Sequence, residues 1–583
     1  MTTLAVDYYP EHWPRERWET DFRLMSDAGI QAVRMAEFAW CRLEPEADRF
    51  EFSWLDDVVE LAAQHGIQSI LCTPTAAPPA WLVDAHPDVL PVDDRGRRMG
   101  LGARRHCDPN SHVYRLRADR ITHAMAGHYR DTQAVLAWQI DNELYGNTPS
   151  FSEATRTAFR AWVKDRYGTV DAVNKAWGTI FWSGEYASFD DIPIPGGDPG
   201  PDSAAHHPSL RLEFHRFVSA SWASFVREQA AIIRQENPEW LITTNAYLFR
   251  WGMDLNQRDL FGSLDVYSFD NYSHSMHENS FYCSFARSIK PRYWVLEQQS
   301  ASPNAQHLLP MEGKRLSTYT RAVVAEGCEL VSYFRWRQCR FGQEQHHGAI
   351  LPHSGDPGDL YEELSDLSQD LKDNPPVAPD GPAVGVFFSW EDGWIRNIDG
   401  SKDYISVHVE AIHRGLYEAG ARVTYLFDAA DVSRFASRES GNGTIICAMK
   451  MIHDPDLSTA LVQAAEAGSR VLIGSDYGAK DRYNVFEERL IPAIMAEALG
   501  IDVRRRFLLT AEIRTEAGRT VRSRLDEVEL QGAEAVETVV AYTDGATEPE
   551  RMVPVVTRRS LGSGEMYYVA GQLDSTFWKA IVG

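Results

Sequence analysis

Two apolar runs in this sequence stop abruptly at glutamate. Val135-Leu136-Ala137-Trp138-Gln139-Ile140 runs into Asp141-Asn142-Glu143, and Tyr293-Trp294-Val295-Leu296 runs into Glu297-Gln298-Gln299. A carboxyl at the end of a buried strand is poised for proton transfer or nucleophilic attack, and two such groups facing each other suit glycoside hydrolysis with retention, which needs a pair about 5 to 5.5 Å apart. A single strand-end glutamate is more often a helix cap or an ion-pair partner; two at these positions, one of them behind Asn142, favour catalysis. Asn142, directly before Glu143, adds a donor for a sugar hydroxyl.

The elements that must position these residues follow from the hydrophobic pattern. Short β-branched or aromatic runs recur at Leu4–Tyr9, Ala32–Phe38, Gln68–Thr75, Val135–Glu143, Leu241–Tyr247, Asp265–Asn271, Arg292–Gln299 and Leu330–Trp336. Amphipathic stretches such as Trp54–His65 and Val113–Tyr129 lie between them. Eight strands alternating with helices predict an α/β fold, a (β/α)8 TIM barrel over residues 1–373, and put the fourth and seventh strands across the mouth from each other. The long connection from Tyr145 to Trp240, rich in aromatics, reads as packed helices inserted over that mouth.

Four prolines within residues 374–382 mark a stiff linker. Beyond it, Ala383–Ser389, Arg422–Leu426, Gly443–Ala448 and Arg470–Gly474 read as strands, with Tyr404–Glu418 and Leu457–Ala467 as helices. This predicts a smaller parallel α/β, flavodoxin-like domain over 383–583, with β-rich segments from about Val503.

Composition narrows the function classes. With 58 basic and 83 acidic residues the net charge is −25, which repels nucleic acid and anionic lipid. No stretch approaches the roughly 18 apolar residues of a membrane span. Seven scattered cysteines without a CxxC pair suit reduced thiols, and the start lacks a basic and apolar leader, so a cytoplasmic location is expected.

The residues also carry a family resemblance. Asp7-Tyr8-Tyr9-Pro10-Glu11-His12-Trp13, Val33-Arg34-Met35-Ala36-Glu37-Phe38-Ala39-Trp40, the Thr73–Leu82 segment, Arg104-Arg105-His106, Trp138–Glu143, Glu297-Gln298-Gln299 and Phe334–Gln338 together resemble glycoside hydrolase family 42, the β-galactosidases. The resemblance implies Glu143 as acid/base, Glu297 as nucleophile, a small oligosaccharide or glycoside as substrate, no cofactor, and a homotrimer assembled through the second domain. It also implies Arg34 and Arg104 near the nucleophile, with Arg105 competing for the latter role. Glu344 and His347 would bind sugar hydroxyls, Trp182 would stack on a sugar face, and Tyr272 would reach the nucleophile. Glu11 and Glu37 read as supports behind the site. A helical Glu344/His347 metal pair lacks partners, so no metal is expected.

Three departures stand out. The family carries a tryptophan eight residues past the nucleophile, where this chain has Ala305, which keeps α-L-arabinopyranosides and β-D-fucosides open as substrates. The four-cysteine zinc cluster of some relatives is missing. The chain is also shorter than the resemblance leads one to expect, by a small C-terminal β domain. A sugar-binding barrel without catalysis is the alternative from another class, and the opposed glutamates argue against it.

Overall fold

A computed structural model describes residues 2–102, 107–144, 149–196, 206–247, 254–300, 315–400, 408–439, 443–509, 511–541 and 551–582. The chain divides into two compact units. The first comprises Met1–Val170, Tyr186–His206 and Phe214–Ala378, and the second Asp171–Glu185, His207–Glu213 and Pro379–Gly583.

The first unit is built on a parallel sheet of β1 (Thr3–Asp7), β2 (Ala32–Met35), β3 (Gln68–Cys72), β4 (Val135–Gln139), β5 (Leu241–Thr243), β6 (Asn245–Tyr247), β7 (Tyr267–Asn271), β8 (Tyr293–Gln299) and β9 (Leu330–Phe334). Its order is β5-β4-β3-β2-β1-β9-β8-β7-β6. The two ends of this order belong to one stretch of chain. The run expected as a single fifth strand is broken at Thr244, with β5 pairing β4 and β6 pairing β7, so the ring closes through the break. The Thr244 hydroxyl donates to Ile140 O at 2.7 Å, which diverts this residue from the ladder toward the end of β4.

The strands are short because their apolar residues fill a narrow interior. Ala5, Ala32, Ile70, Ala137, Val266, Trp294, Leu296 and Leu330 form one buried cluster that combines small alanines with the large Trp294. Capping sets the helix starts: the hydroxyls of Ser111, Ser152 and Ser275 accept from the backbone N–H three residues on, opening His112–Tyr129, Glu153–Tyr167 and Met276–Ile289. The helix Ser53–Gln64 gives way to Gly66, whose φ of 72° returns the chain toward β3. All seven cysteines are free and six are buried.

The second unit carries β10 (Ala383–Phe387), β11 (Arg422–Leu426), β12 (Thr444–Cys447) and β13 (Arg470–Gly474) as a parallel sheet, joined by two strands β17 (Glu534–Ala541) and β18 (Arg551–Leu561) and by β19 (Gly564–Val569). The order β11-β10-β12-β13-β19 is the flavodoxin-like one, second-first-third-fourth-fifth. One of the β-rich segments expected after Val503 is β19, which is the fifth parallel strand, pairing along β13 from Arg470 to Gly474. Met566 to Ala570 are all buried, as in an interior strand, and only the long-range pairing reveals which strand β19 joins. β18 and β17 then extend the sheet antiparallel. β14 (Ile501–Leu508), β15 (Ile513–Arg514), β16 (Thr520–Leu530) and β20 (Gly571–Leu573) make a separate antiparallel sheet.

A buried charge cluster ties β13 to β14 and β16. Asp476, just past β13 at φ 66°, accepts from Arg524 at 2.7 Å and lies 2.8 Å from Arg506 and 3.7 Å from Arg396. Arg506 also donates to Asp526 at 3.1 Å, whose other oxygen accepts from the Tyr568 hydroxyl. Removing one partner from such a cluster strands buried charge, at a cost of about 3 to 5 kcal/mol. Asp476→Ala should therefore lower the urea midpoint of the second unit markedly, whereas a surface control such as Asp456→Ala should leave it nearly unchanged; an unmoved midpoint in Asp476→Ala would show that the cluster holds nothing together.

Candidate active site

β8 continues through Glu297, which is 4% exposed. β4 behaves differently. It ends at Gln139, Ile140 N–H donates to Thr243 O at 2.8 Å, and Glu143 sits four residues beyond the strand rather than at its tip. The turn between is unusual: Asp141 and Glu143 take φ of 56° and 46°, a left-handed conformation costing roughly 1 to 2 kcal/mol for each non-glycine residue. Hydrogen bonds hold it there. Asp141 N–H donates to Thr73 Oγ1 at 2.9 Å, the Thr75 hydroxyl donates to the Asp141 carboxylate, Asn142 N–H donates to Asp141 Oδ1 at 2.7 Å, and Glu143 N–H donates to Asn245 Oδ1 at 2.8 Å.

Arg34 joins the two carboxyl sides. It is fully buried and its Nη1 donates to Asp7 Oδ2 at 2.6 Å and Glu297 Oε1 at 2.8 Å, while Nη2 donates to Asn142 Oδ1 at 2.5 Å and lies 3.2 Å from Glu37. Arginine has no acceptor, so it fixes the Asn142 amide with its oxygen toward the guanidinium. The second oxygen of Glu297 accepts from the Tyr272 hydroxyl at 2.7 Å, and Asn245 Nδ2 lies 3.3 Å from the first. Burial and the adjacent Glu297 charge push the Tyr272 phenol well above its ordinary range, so it remains a donor at neutral pH. Oxygens of Glu143, Glu297 and Asp270 all lie within 4.8 Å of one another.

Around this centre, the Phe334 ring stands 6.5 Å from Tyr9, 6.4 Å from Tyr272 and 6.0 Å from His347. Arg335 donates to Glu344 Oε2 at 3.3 Å. Glu344 and His347 lie on a turn rather than a helix, with His347 N–H donating to Glu344 O at 3.0 Å, so they do not present a helical ligand pair. Glu37 stands behind Arg34, and Glu11 sits in the 3-10 turn Pro10–His12 after β1. Trp182 lies on the turn Phe181–Ser183 of the segment belonging to the second unit; it is 79% exposed, at φ 53°, with Phe181 as a ring neighbour at 4.7 Å. Arg104, Arg105 and Ala305 lie outside the described residues.

The structure thus brings together Arg34, Asn142, Glu143, Tyr272 and Glu297, and adds three residues that the sequence reading missed: Asp7, Asn245 and Asp270. Each is a polar residue within or directly beside a strand, Val6-Asp7, Thr244-Asn245 and Phe269-Asp270, and that interruption of an apolar run was the available clue.

The profile of the family described as β-galactosidase matches residues 7–374, and that of the β-galactosidase trimerisation domain matches residues 382–583. The chain belongs to glycoside hydrolase family 42. It is a glycoside hydrolase, and its similarity to family members runs the length of the chain. β-Galactosidase BgaH of Haloferax lucentense is 35% identical over 540 residues, covering 88% of this chain and 79% of its own. A β-galactosidase of Thermus thermophilus is 38% identical over 422 residues, covering 68% of this chain and 64% of its own. The solved β-galactosidase of the Antarctic haloarchaeon Halorubrum lacusprofundi superposes with a TM-score of 0.92 at 32% identity, covering 100% of this chain and 88% of that one.

Glu11 links the stability of this family 42 barrel to pH. Burial, reinforced by Glu37, raises its carboxyl from 4.5 to about 8. Below pH 4.5 the folded and unfolded chains both hold the proton; between 4.5 and about 8 only the folded chain does, so this contribution to stability is lost as pH rises through that window. Glu11→Gln should flatten that decline, raising the melting temperature more at pH 8 than at pH 5; an equal shift at both pH values would show that Glu11 does not titrate there.

Proposed function

We propose that the chain is a retaining exo-β-galactosidase in which Glu297 is the nucleophile and Glu143 the acid/base. The observation that supports this reading is that oxygens of Glu143 and Glu297 lie within 4.8 Å of one another, closer to the spacing of retaining enzymes, about 5 to 5.5 Å, than to the roughly 6.5 to 9.5 Å of inverting ones. Glu143 protonates the glycosidic oxygen while Glu297 attacks the anomeric carbon, the aglycone departs, and water activated by Glu143 then displaces the sugar from Glu297. The two roles differ in their surroundings: Glu297 receives donors from Arg34 and Tyr272, the arrangement suited to a nucleophilic carboxylate, whereas Glu143 meets a backbone-anchored turn.

Asn142 is assigned to the sugar 2-hydroxyl, Arg34 and Tyr272 to holding the nucleophile, and Glu344 with His347 to the outer sugar hydroxyls. Arg104 retains its assigned place near the sugar on the family motif alone. Trp182, exposed on its own turn, is not needed by this reading. No metal or cofactor enters any step. The assembly assigned is a homotrimer, supported by the trimerisation-domain match, and the location assigned is the cytoplasm, supported by the free cysteines.

Glu297→Gly should lose turnover on nitrophenyl β-D-galactoside and regain it with azide, releasing the α-galactosyl azide, while Glu143→Ala should lose most activity on poor leaving groups and keep more on good ones. Ordinary hydrolysis by Glu297→Gly would refute the nucleophile assignment. Ala305 favours a parallel assay of α-L-arabinopyranoside and β-D-fucoside; faster turnover of either than of the galactoside would replace the substrate assignment. A monomer by light scattering would overturn the trimer.

A further inference from the structure

The reaction assigned above uses two carboxyls, yet three meet at its centre. Asp270 is 1% exposed on β7 and is the register partner of Glu297 on β8, immediately after an irregularity in the pairing that turns both side chains to the same place. The ionisable groups facing it are Glu297 from β8, Glu143 from the turn after β4 and Arg34 from β2, with Tyr267 and Tyr272 on its own strand and just beyond its end. The one cation of this set, Arg34, is already held by Asp7, Glu37 and Glu297. Three buried carboxyls within 4.8 Å of one another cannot all be ionised beside a guanidinium so occupied.

Asn245 shows which oxygen is protonated. Glu143 N–H is a donor without alternative and points at Asn245 Oδ1 at 2.8 Å, so the amide orientation is fixed and Nδ2 faces Asp270 Oδ2, also at 2.8 Å. Oδ2 is therefore the acceptor oxygen of Asp270. Oδ1, buried and without an N–H donor of its own, is left to carry the proton toward the other carboxyls. Burial first, then the Glu297 and Glu143 charges, hold this carboxyl well above the usual carboxylate range against the pull of Arg34, and a hydrogen bond with the Glu143 side chain adds to the effect.

We propose that Asp270 stays protonated throughout the catalytic cycle and donates its Oδ1–H to the Glu143 carboxyl, acting as a positioning residue that stabilises Glu143 in its ionised state. The proposal rests on the acid/base role given to Glu143. When Glu143 passes its proton to the departing oxygen, the carboxylate it becomes finds a donor already in place. When water attacks the glycosyl-enzyme, its proton returns to Glu143 and its hydroxyl to the sugar, and Asp270 ends with the proton it began with. A donor that strengthens as charge forms on its partner favours the intermediate over the resting state.

Two measurements test this. In the infrared, Asp270→Asn should remove a protonated-carboxyl band present in the unaltered protein at neutral pH, a readout independent of any activity; an unchanged carboxyl region would overturn the proposal. In the pH profile of kcat/KM, Asp270→Ala should move the alkaline limb upward by about one unit, because Glu143 without its donor releases its proton less readily. Asp270→Asn, whose amide N–H replaces the O–H, should restore the limb and bring the rate back to within a few-fold. A downward shift in Asp270→Asn would mean that Asp270 carries charge, and a folded Asp270→Ala with an unmoved limb would reduce it to a structural group. If Glu143→Ala left the alkaline limb in place, the acid/base assignment itself would have failed, while the infrared band would still decide where the Asp270 proton lies.

Discussion

A single guanidinium organises the barrel mouth. Arg34 can neither lose its charge nor accept a hydrogen bond, and out of contact with water its charge must be balanced by its neighbours. Its partners come from four places in the chain: Asp7 from β1, Glu37 from just after β2, Asn142 from the turn after β4 and Glu297 from β8. The planar fork fixes the directions as well as the distances. Asp7 in turn accepts from Ser332 of β9 at 2.6 Å, so that strands across the ring share one polar centre in an otherwise apolar barrel. Burial raises the Asp7 carboxyl and Arg34 opposes that shift, so the ionisation of one group is set by the others.

The remaining rigidity is in the backbone. Two departures from the preferred conformation, at Asp141 and Glu143 on either side of Asn142, are tolerated because Asp141 is hydrogen-bonded to Thr73 and Thr75, just after β3, and the Glu143 amide to Asn245. Asn245 occupies its position only because the fifth strand breaks one residue earlier. Gln139 Nε2 also donates to Asn245 Oδ1, at 3.1 Å, so the last residue of β4 and the first of β6 meet at the same amide. Glu143 is therefore anchored through Asn245 of the sheet although it lies beyond its strand, an arrangement that limits its freedom without burying it completely.

Much of this was legible in the sequence, for a physical reason. A parallel barrel needs apolar strands of similar length, and a carboxyl that ends such a run stands out, which is how Glu143 and Glu297 could be named. The eight runs and the helices between them follow from the same periodicity. Convergence is another matter. Asp7, Asn245 and Asp270 are separated by hundreds of residues or by a strand break, and nothing local says that their side chains meet. The positive φ at Asp141 and Glu143 gives no signature either, since both are residues that ordinarily prefer other conformations. In the second unit, β10 to β13 were readable as apolar runs in series; β19 was readable as a β run but its place in the parallel sheet was not, because its neighbour β13 lies some 90 residues earlier and part of the intervening chain forms a separate sheet.

That late strand bears on how the molecule is made. The barrel has all of its staves once Phe334 has been synthesised, so it can close while the rest of the chain is still being translated. The parallel sheet of the second unit cannot, because its exposed β13 edge waits for Gly564–Val569. Until then a ladder of unpaired amides and carbonyls is open to any other strand, including the same edge of another nascent chain. A protein with this connectivity gains from slow neighbours on the ribosome or a chaperone that shields that edge, and crowded overexpression would expose it to mispairing there before anywhere in the barrel.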